Sequence, residues 1–289
     1  MQTRISPAID SETAADDVRL TARPSSVNLL NGLIGAAALG VMTFLYFPMG
    51  MVVLYSFNPD TVNSFPMRGF SLKWYGIMTQ NESLQQALKI SLLVAVCGTV
   101  VALVIGVTGA LAMQQYDFRL KRFFERVMLL PITLPGILTG VAMLSFFPLL
   151  GIPISLTAVT IGHTTFLICI VLTQVYARLK RLDPFLEEAA ADLGATPVQA
   201  FFRVVLPNIR TALIGAALLS FTLSLDEIPV TFFLIARDNT LPIEIYTMMR
   251  RGITPEVNAI STVIFALSLL ALLLTVRYGE RETRPIAGA

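Results

Sequence analysis

Long apolar runs dominate this chain and restrict the kind of fold it can adopt. Six of them are long enough to cross a bilayer, which takes about 20 apolar residues at roughly 1.5 Å rise per residue. Their bounds are Leu29 to Tyr55, Leu88 to Met113, Val127 to Leu150, Ile154 to Tyr176, Ile209 to Ala236, and Val257 to Val276. Backbone amides inside lipid must find partners within the chain, so such runs form helices. We therefore expect an all-α membrane protein with six transmembrane helices.

The composition excludes several other classes of protein. Apolar residues make up 55% of the chain and charged residues 14%, which is too apolar for an ordinary soluble domain. The net charge is only +2, and no basic patch with interleaved aromatics occurs, so nucleic acid is not an expected partner. Cys97 and Cys169 both lie within apolar runs, where they form neither a CxxC metal motif nor a secreted disulfide framework. We predict no metal site.

The basic residues indicate which ends face the cytoplasm. Those on one side of the predicted spans are Arg4, Arg19, Arg23, Arg119, Lys121, Arg122, Arg126, Arg178, Lys180, Arg181, Arg203, Arg277, Arg281 and Arg284. The other side holds only Arg68, Lys73, Arg237, Arg250 and Arg251, with Lys89 at a span edge. Because Lys and Arg collect on the cytoplasmic side, both termini are predicted to be inside. Residues 1–28 are predicted to form a disordered cytoplasmic tail, 29–276 the membrane domain, and 277–289 a second cytoplasmic tail.

Two local patterns concern how the spans pack and bend. Gly98, Ala102, Gly106 and Ala110 recur every four residues and share one helix face, which favours close packing against another helix. Chance placement of small residues in an apolar helix is the alternative. Pro131 and Pro135 remove backbone donors near the start of the third run and predict a kink there. The kink is either architectural or part of a moving gate.

The polar segment 178–208, between the fourth and fifth runs, is predicted to form a helical hairpin. Asp183-Pro184 is a good helix start, with an N-cap followed by a proline at the first helical position. Gly194 suits the left-handed conformation that ends a helix. Thr196-Pro197 repeats the cap and proline, and Pro207 is expected to break the chain before the fifth span. Without further evidence, such a hairpin is either an interfacial loop or a docking surface.

The fifth run carries the chain's unusual polar residues. Its candidate pathway residues are Ser220, Thr222, Ser224, Asp226 and Glu227. Carboxylates within a span are costly and either line a water-filled path, where they would attract a cation, or are satisfied structurally. The structural alternative is an ion pair with Arg237 or Arg250, or the capping of a helix end. Pro229 should loosen the helix at this point.

His163 is a lone polar residue in the fourth run. We expect it to make a hydrogen bond between packed helices, and a contact with the transport path is the alternative.

The hairpin carries a spaced motif that resembles a known family. Glu188-Ala189-Ala190, then Gly194, and after nine residues Val204-x-Leu206-Pro207, is similar to the signature loop of permease subunits in binding-protein-dependent ABC importers. The family usually has Ile where Val204 stands. The resemblance implies a type I ABC importer permease fold in a bacterial inner membrane. It also implies that the hairpin is a coupling helix docked on a cytoplasmic ATPase dimer, with contacts from Glu187, Glu188, Ala189, Ala190, Gly194, Leu206 and Pro207.

The subunit that hydrolyses ATP would then be a separate polypeptide. No G-x-x-x-x-G-K-[ST] phosphate-binding loop occurs in the chain. The chain is therefore not expected to be an enzyme or to bind a cofactor, and ATP and Mg would be used by the partner ATPase. By the same resemblance a second homologous permease and a periplasmic substrate-binding protein complete the importer, which works by alternating access.

The cargo is suggested by a narrower resemblance. The stretch from Ser220 through Asp226-Glu227, with Thr240-Leu241-Pro242 and Met248 to Gly252, is similar to the permeases of spermidine and putrescine importers. This implies a polyamine as cargo. The alternatives are the same importer class with another cargo, such as iron, thiamine, sulfate, opines or amino acid derivatives, or an ion-coupled secondary transporter. In the last case, Asp226 and Glu227 would be the proton or sodium site.

Overall fold

A computed structural model describes residues 25–183, 185–252 and 254–279, and this part of the chain is helical without a strand. The helices are α1 Ser25–Tyr55, α2 Lys73–Gln80, α3 Glu82–Gln115, α4 Lys121–Val127, α5 Leu130–Thr133, α6 Gly136–Phe146, α7 Leu156–Leu179, α8 Phe185–Asp192, α9 Pro197–Ala200, α10 Leu206–Leu225, α11 Pro229–Leu234, α12 Leu241–Arg251 and α13 Pro255–Gly279. A 3-10 turn at Pro148–Leu150 follows α6, and a π-helical turn at Phe201–Val205 joins α9 to α10. The predicted tails lie largely outside the described residues, although α1 begins at Ser25 and α13 extends to Gly279.

Fewer spans are found than the six expected from the sequence. Four helices in the described residues are long and apolar enough to cross a membrane: Leu30–Tyr55, Glu82–Gln115, Leu156–Leu179 and Pro197–Leu225. A fifth is obtained if the bent pair Lys121–Thr133 and Gly136–Leu150 is one span. In the last predicted span, the described side chains give a shorter apolar helix, Pro255–Leu270. The all-helical architecture is therefore confirmed, and the count of six is not.

Packing divides the chain into two compact units, one ending at Met51 and the other beginning at Val52. The centre of the second unit is the pair α3 and α7. The small-residue face of α3 is buried, and a Cβ built on Gly106 would lie 2.7 Å from Cβ of Val171 in α7. Fully buried Leu167 and Ile209 extend this core to α10. Small residues at this spacing thus let two helix backbones approach closely.

The third predicted span is broken into two arms. Lys121–Thr133, called the inner arm after its predicted cytoplasmic side, and Gly136–Leu150, called the outer arm, meet at an angle of 99°. Between them, Leu134 has an extended backbone with ψ 138°, and Pro135 has ψ 129°. A residue that precedes proline is pushed out of the helical region by the proline ring, which explains the conformation of Leu134. Pro135 therefore lies at a sharp break between two helices rather than at a kink within one, whereas Pro131 lies in the first turn of α5.

The fifth predicted span is wrong at both ends. The break expected at Pro207 is absent, because the helix runs without interruption from Pro197 to Leu225. In the π-helical turn, the Leu206 amide bonds to the carbonyl of Phe201, five residues back. Pro207 is the second residue of α10, directly after this turn, and a helix tolerates the missing amide of a proline in its first turn. At the other end, α10 stops at Leu225 instead of continuing to Ala236.

Candidate functional site

The first helix of the hairpin, α8, has defined start and stop signals. At its start, the Asp183 carboxylate accepts a 3.0 Å hydrogen bond from the Phe185 amide. Pro184, expected at the first helical position, lies outside the described residues. At its end, Gly194 is left-handed with φ 82°, and the amide of Ala195 bonds to the carbonyl of Ala190 at 3.0 Å. This geometry requires φ above zero, which glycine adopts without the penalty that a Cβ brings.

The second helix of the hairpin begins with a reciprocal cap. Thr196 Oγ1 accepts from the Gln199 amide at 3.3 Å, and Gln199 Oε1 accepts from the Thr196 amide at 3.0 Å. Ala200 is buried, as is Ala190 in the first helix. The two short helices are therefore capped separately, and the sequence specifies the turn between them.

The predicted coupling residues fall into exposed and buried groups. Glu188, Ala189, Gly194 and Pro207 are exposed, and Leu206 is half-buried. Ala190 is only 8% exposed. Half-buried Glu187 accepts a 3.3 Å hydrogen bond from Gln115, at the end of α3. Ala190 is buried and Glu187 contacts α3, while Leu206 packs partly against the core. The other four residues are accessible to another molecule.

The sequence predicts an apolar side for the second helix of the hairpin, at Phe201, Phe202, Val204 and Val205, but sequence reasoning missed the exposed apolar residues in the rest of the hairpin. Phe185, Leu193, Val198 and Phe202 are 67%, 90%, 65% and 60% exposed. Exposed apolar residues of this size in one small element are typical of a protein–protein or membrane contact. The signal for them was their position: apolar side chains in a polar loop between two spans have no core of their own to enter.

The second candidate region is the break between α10 and α11, at residues 226–228. Glu227 Oε1 accepts a 3.0 Å hydrogen bond from the Val230 amide and so caps α11. Asp226 is exposed. Neither acid forms an ion pair with Arg237 or Arg250 in the described part of the chain. Of the structural alternatives for these acids, helix capping is thus seen for Glu227, and an ion pair is seen for neither.

Close packing holds α11 between two neighbouring helices. A Cβ on Gly140 of α6 would lie 2.7 Å from the ring of Phe233, and one on Gly162 of α7 would lie 2.8 Å from Leu234. Both contacts are shorter than real Cβ atoms make, so a side chain at either position would force its neighbours to shift. The segment that follows the acids is therefore seated on α6 and α7.

The polar residues of the fifth helix occupy different environments. Ser224 is buried and bonds to His163 at 2.8 Å. Ser220 is fully buried, and its hydroxyl has no hydrogen-bond partner in the described part of the chain. Thr222 is exposed, and its hydroxyl donates a hydrogen bond to the carbonyl of Leu218 in the same helix. The structure therefore separates Thr222 and Asp226, which are accessible, from the two serines. Among the described residues, no group of three or more His, Cys, Asp or Glu is arranged to hold a metal ion.

The amino-acid sequence is similar to those of bacterial transport proteins. It is 34% identical over 257 residues to the spermidine/putrescine transport system permease protein PotC of Escherichia coli (strain K12), covering 89% of this chain and 97% of that protein. It is also 34% identical over 259 residues to the putrescine transport system permease protein PotI of the same strain, covering 86% of this chain and 92% of that one.

The fold is shared with solved transporters. A chain of a bacterial alginate ABC transporter, solved in complex with an alginate pentasaccharide-bound periplasmic protein, superposes with a TM-score of 0.69 at 14% identity, covering 89% of this chain and 96% of that one. At that identity the match shows the fold alone, which is the type I ABC importer permease fold. The model of the family described as binding-protein-dependent transport system inner membrane component matches residues 102–280. The chain therefore belongs to this family of inner-membrane permease components.

Proposed function

We propose that this protein is one half of the translocation pathway of an ATP-driven importer, with spermidine or putrescine as its cargo. The observation that carries the proposal is the 34% identity to a spermidine/putrescine permease over 89% of the chain. The resemblance between the region around Asp226-Glu227 and polyamine permeases supports the same cargo. Polyamines are small multivalent cations, and an exposed carboxylate that forms no ion pair within the described chain suits such a cargo.

The hairpin is proposed to transmit the movements of the ATPase subunits to the membrane spans. Its exposed members, Glu188, Ala189 and Gly194, together with the apolar surface around Leu193 and Phe202, form the contact with a cytoplasmic ATPase dimer. ATP and Mg are used by that partner, and this chain contributes movement of its spans. The continuous helix from Pro197 to Leu225 supports the proposal, because it joins the hairpin directly to the span that ends at Asp226.

The membrane arrangement is proposed to be six spans with both termini in the cytoplasm. The bent pair supplies the third span, and α13, with 25 residues, is long enough to supply the sixth. The excess of Lys and Arg on one side supports this orientation. A second, homologous permease completes the path, and a periplasmic binding protein delivers the cargo, as the related alginate transporter binds its own periplasmic protein.

The proposal is tested with a complex assembled from this chain and the second permease, ATPase and binding protein of its transport system. In proteoliposomes, binding protein loaded with spermidine or putrescine should stimulate ATP hydrolysis and cation uptake. Binding protein loaded with an amino acid derivative, thiamine or ferric iron is the matched comparison. Stimulation by one of these and not by polyamines would overturn the cargo. Uptake that proceeds without ATP and collapses with the ion gradient would overturn the importer class.

A further inference from the structure

His163 joins the two sides of the break that carries the acids. It lies in α7, is fully buried, and its Nδ1 is 2.8 Å from Ser224 Oγ in the last turn of α10. Its Nε2 is 2.7 Å from Thr231 Oγ1 in the first turn of α11. Residues 226–228 lie between these two contacts. One side chain on a neighbouring helix therefore ties together the end of one segment and the beginning of the next.

The hydrogen bonds determine how this network is arranged. Thr231 Oγ1 donates to the carbonyl of Glu227 at 3.0 Å, so it can only accept from the imidazole. Nε2 of His163 must then carry a proton, which leaves Nδ1 of a neutral ring to accept from Ser224. Every polar atom in this chain of bonds has one defined role, from Ser224 through His163 and Thr231 to the backbone of Glu227. A neutral ring also suits a site that is closed to solvent.

The same network restricts the backbone at Asp226. The carbonyl of Glu227 accepts from Thr231, and the Glu227 carboxylate accepts from the Val230 amide at 3.0 Å. The amide of Asp226 is still bonded to Thr222 as part of α10, at 3.2 Å. The backbone on each side of the Asp226 side chain is thus held, while the carboxylate itself is exposed. The carboxylate of Asp226 is thus carried by a backbone of defined position and is open to solvent.

We propose that His163 is a positioning residue for the carboxylate of Asp226. By holding Ser224 and Thr231 together it sets the shape of the break, and so the direction in which the carboxylate meets a cationic cargo. This proposal rests on the proposed function, since a cation path at Asp226 is assumed there. His163 does not touch the cargo in this proposal, because it is fully buried.

The first test measures the geometry without reference to any cargo. Cys97 and Cys169 are replaced by alanine, D226C is introduced, and the assembled transporter is labelled with a charged thiol reagent. T231V removes the hydroxyl at nearly constant volume, and T231S is its matched control because it keeps that hydroxyl. We expect T231V and H163L to change the labelling rate about tenfold, the effect of losing one buried hydrogen bond, and T231S to leave it unchanged. Equal labelling rates in the D226C parent and in its T231V, H163L and T231S derivatives would overturn the proposal.

The second test is a double-mutant cycle on cargo uptake. H163L and D226N should each raise the KM for polyamine when equal amounts of folded, assembled complex are compared, while T231S should keep the wild-type KM and thermal unfolding. The double variant H163L/D226N should be no worse than D226N alone, because no carboxylate is left to position. Losses that add would show that His163 acts only on general stability, and would overturn the proposal.

The results of these tests distinguish a wrong role for His163 from a wrong proposed function. If the wild-type complex imports no polyamine, the proposed function fails, and thiol labelling still decides the role of His163. If polyamine is imported and labelling is insensitive to T231V, the role of His163 fails and the proposed function stands.

Discussion

Tyr176, in the last turn of α7, donates a 2.7 Å hydrogen bond to the carboxylate of Glu125 in α4. The same oxygen accepts from Lys180 at 3.3 Å, and the Lys180 ammonium lies 4.2 Å from the centre of the Tyr176 ring. These contacts tie the inner arm of the broken third helix to the C-terminal end of α7. Since α7 leads directly into the hairpin, the inner arm is linked to the proposed coupling element.

The first prediction concerns this tie. E125A should lower the number of polyamines imported per ATP hydrolysed, because the inner arm is no longer held to α7. E125Q is the matched control, since its amide oxygen still accepts from Tyr176. The exposed ion pair with Lys180 contributes little by itself, so both variants should unfold near the wild-type temperature. A wild-type ratio of transport to hydrolysis in E125A would argue against the link.

The second prediction concerns the contact between α3 and α7. G106A should destabilise the protein by about 1–3 kcal/mol, since its Cβ would lie 2.7 Å from Val171 and force the helices apart. G98A is the matched control, because its nearest neighbour is 3.4 Å away. The free energy of unfolding is measured by denaturant titration in detergent. Adding V171A should recover part of the loss, and a G98A variant as unstable as G106A would contradict this reading of the packing.

The third prediction concerns Gly194 in the hairpin. It has φ 82°, and a Cβ there would meet no atom of this chain within 4 Å. A β-branched residue in the left-handed conformation is strained by roughly 1–2 kcal/mol, whereas asparagine tolerates it. G194N should therefore insert and unfold like the wild type, while uptake falls because its side chain projects into the docking surface. Wild-type uptake by G194N would contradict the coupling role. A loss of uptake in G194V, whose β-branched side chain strains the backbone, would not by itself support that role.

The fourth prediction separates the two acids. D226N should lower the kcat/KM for polyamine about tenfold or more, since contacts to charged groups contribute about 1.5–3 kcal/mol. E227Q should have little effect, because its amide oxygen still accepts from the Val230 amide. E227A loses this cap and should cost about 1 kcal/mol of stability. Uptake that depends on Glu227 and not on Asp226 would reverse these roles.

Much of the architecture follows from local rules of sequence. Apolar runs, caps such as Thr196, and the special conformation of Gly194 act over a few residues, so they are visible without the fold. The position of the break at Leu134-Pro135 has the same local origin. Pro207 shows where these local rules stop predicting the structure. A proline is expected to end a helix, yet here a π-helical turn accommodates it. Whether the helix breaks or continues at such a proline depends on how the flanking segments pack.

The sequence by itself determined that this is a helical membrane protein with a capped hairpin between two spans, because hydrophobicity and capping are properties of short segments. It also identified two acids in the fifth span as unusual. Only the tertiary structure decided that Glu227 caps a helix while Asp226 stays exposed, and that His163 bridges the segments on either side of them. The reason is physical: His163 contacts residues 61 and 68 positions away in the sequence, and the role of Glu227 depends on where α10 ends, which the local sequence pattern did not show.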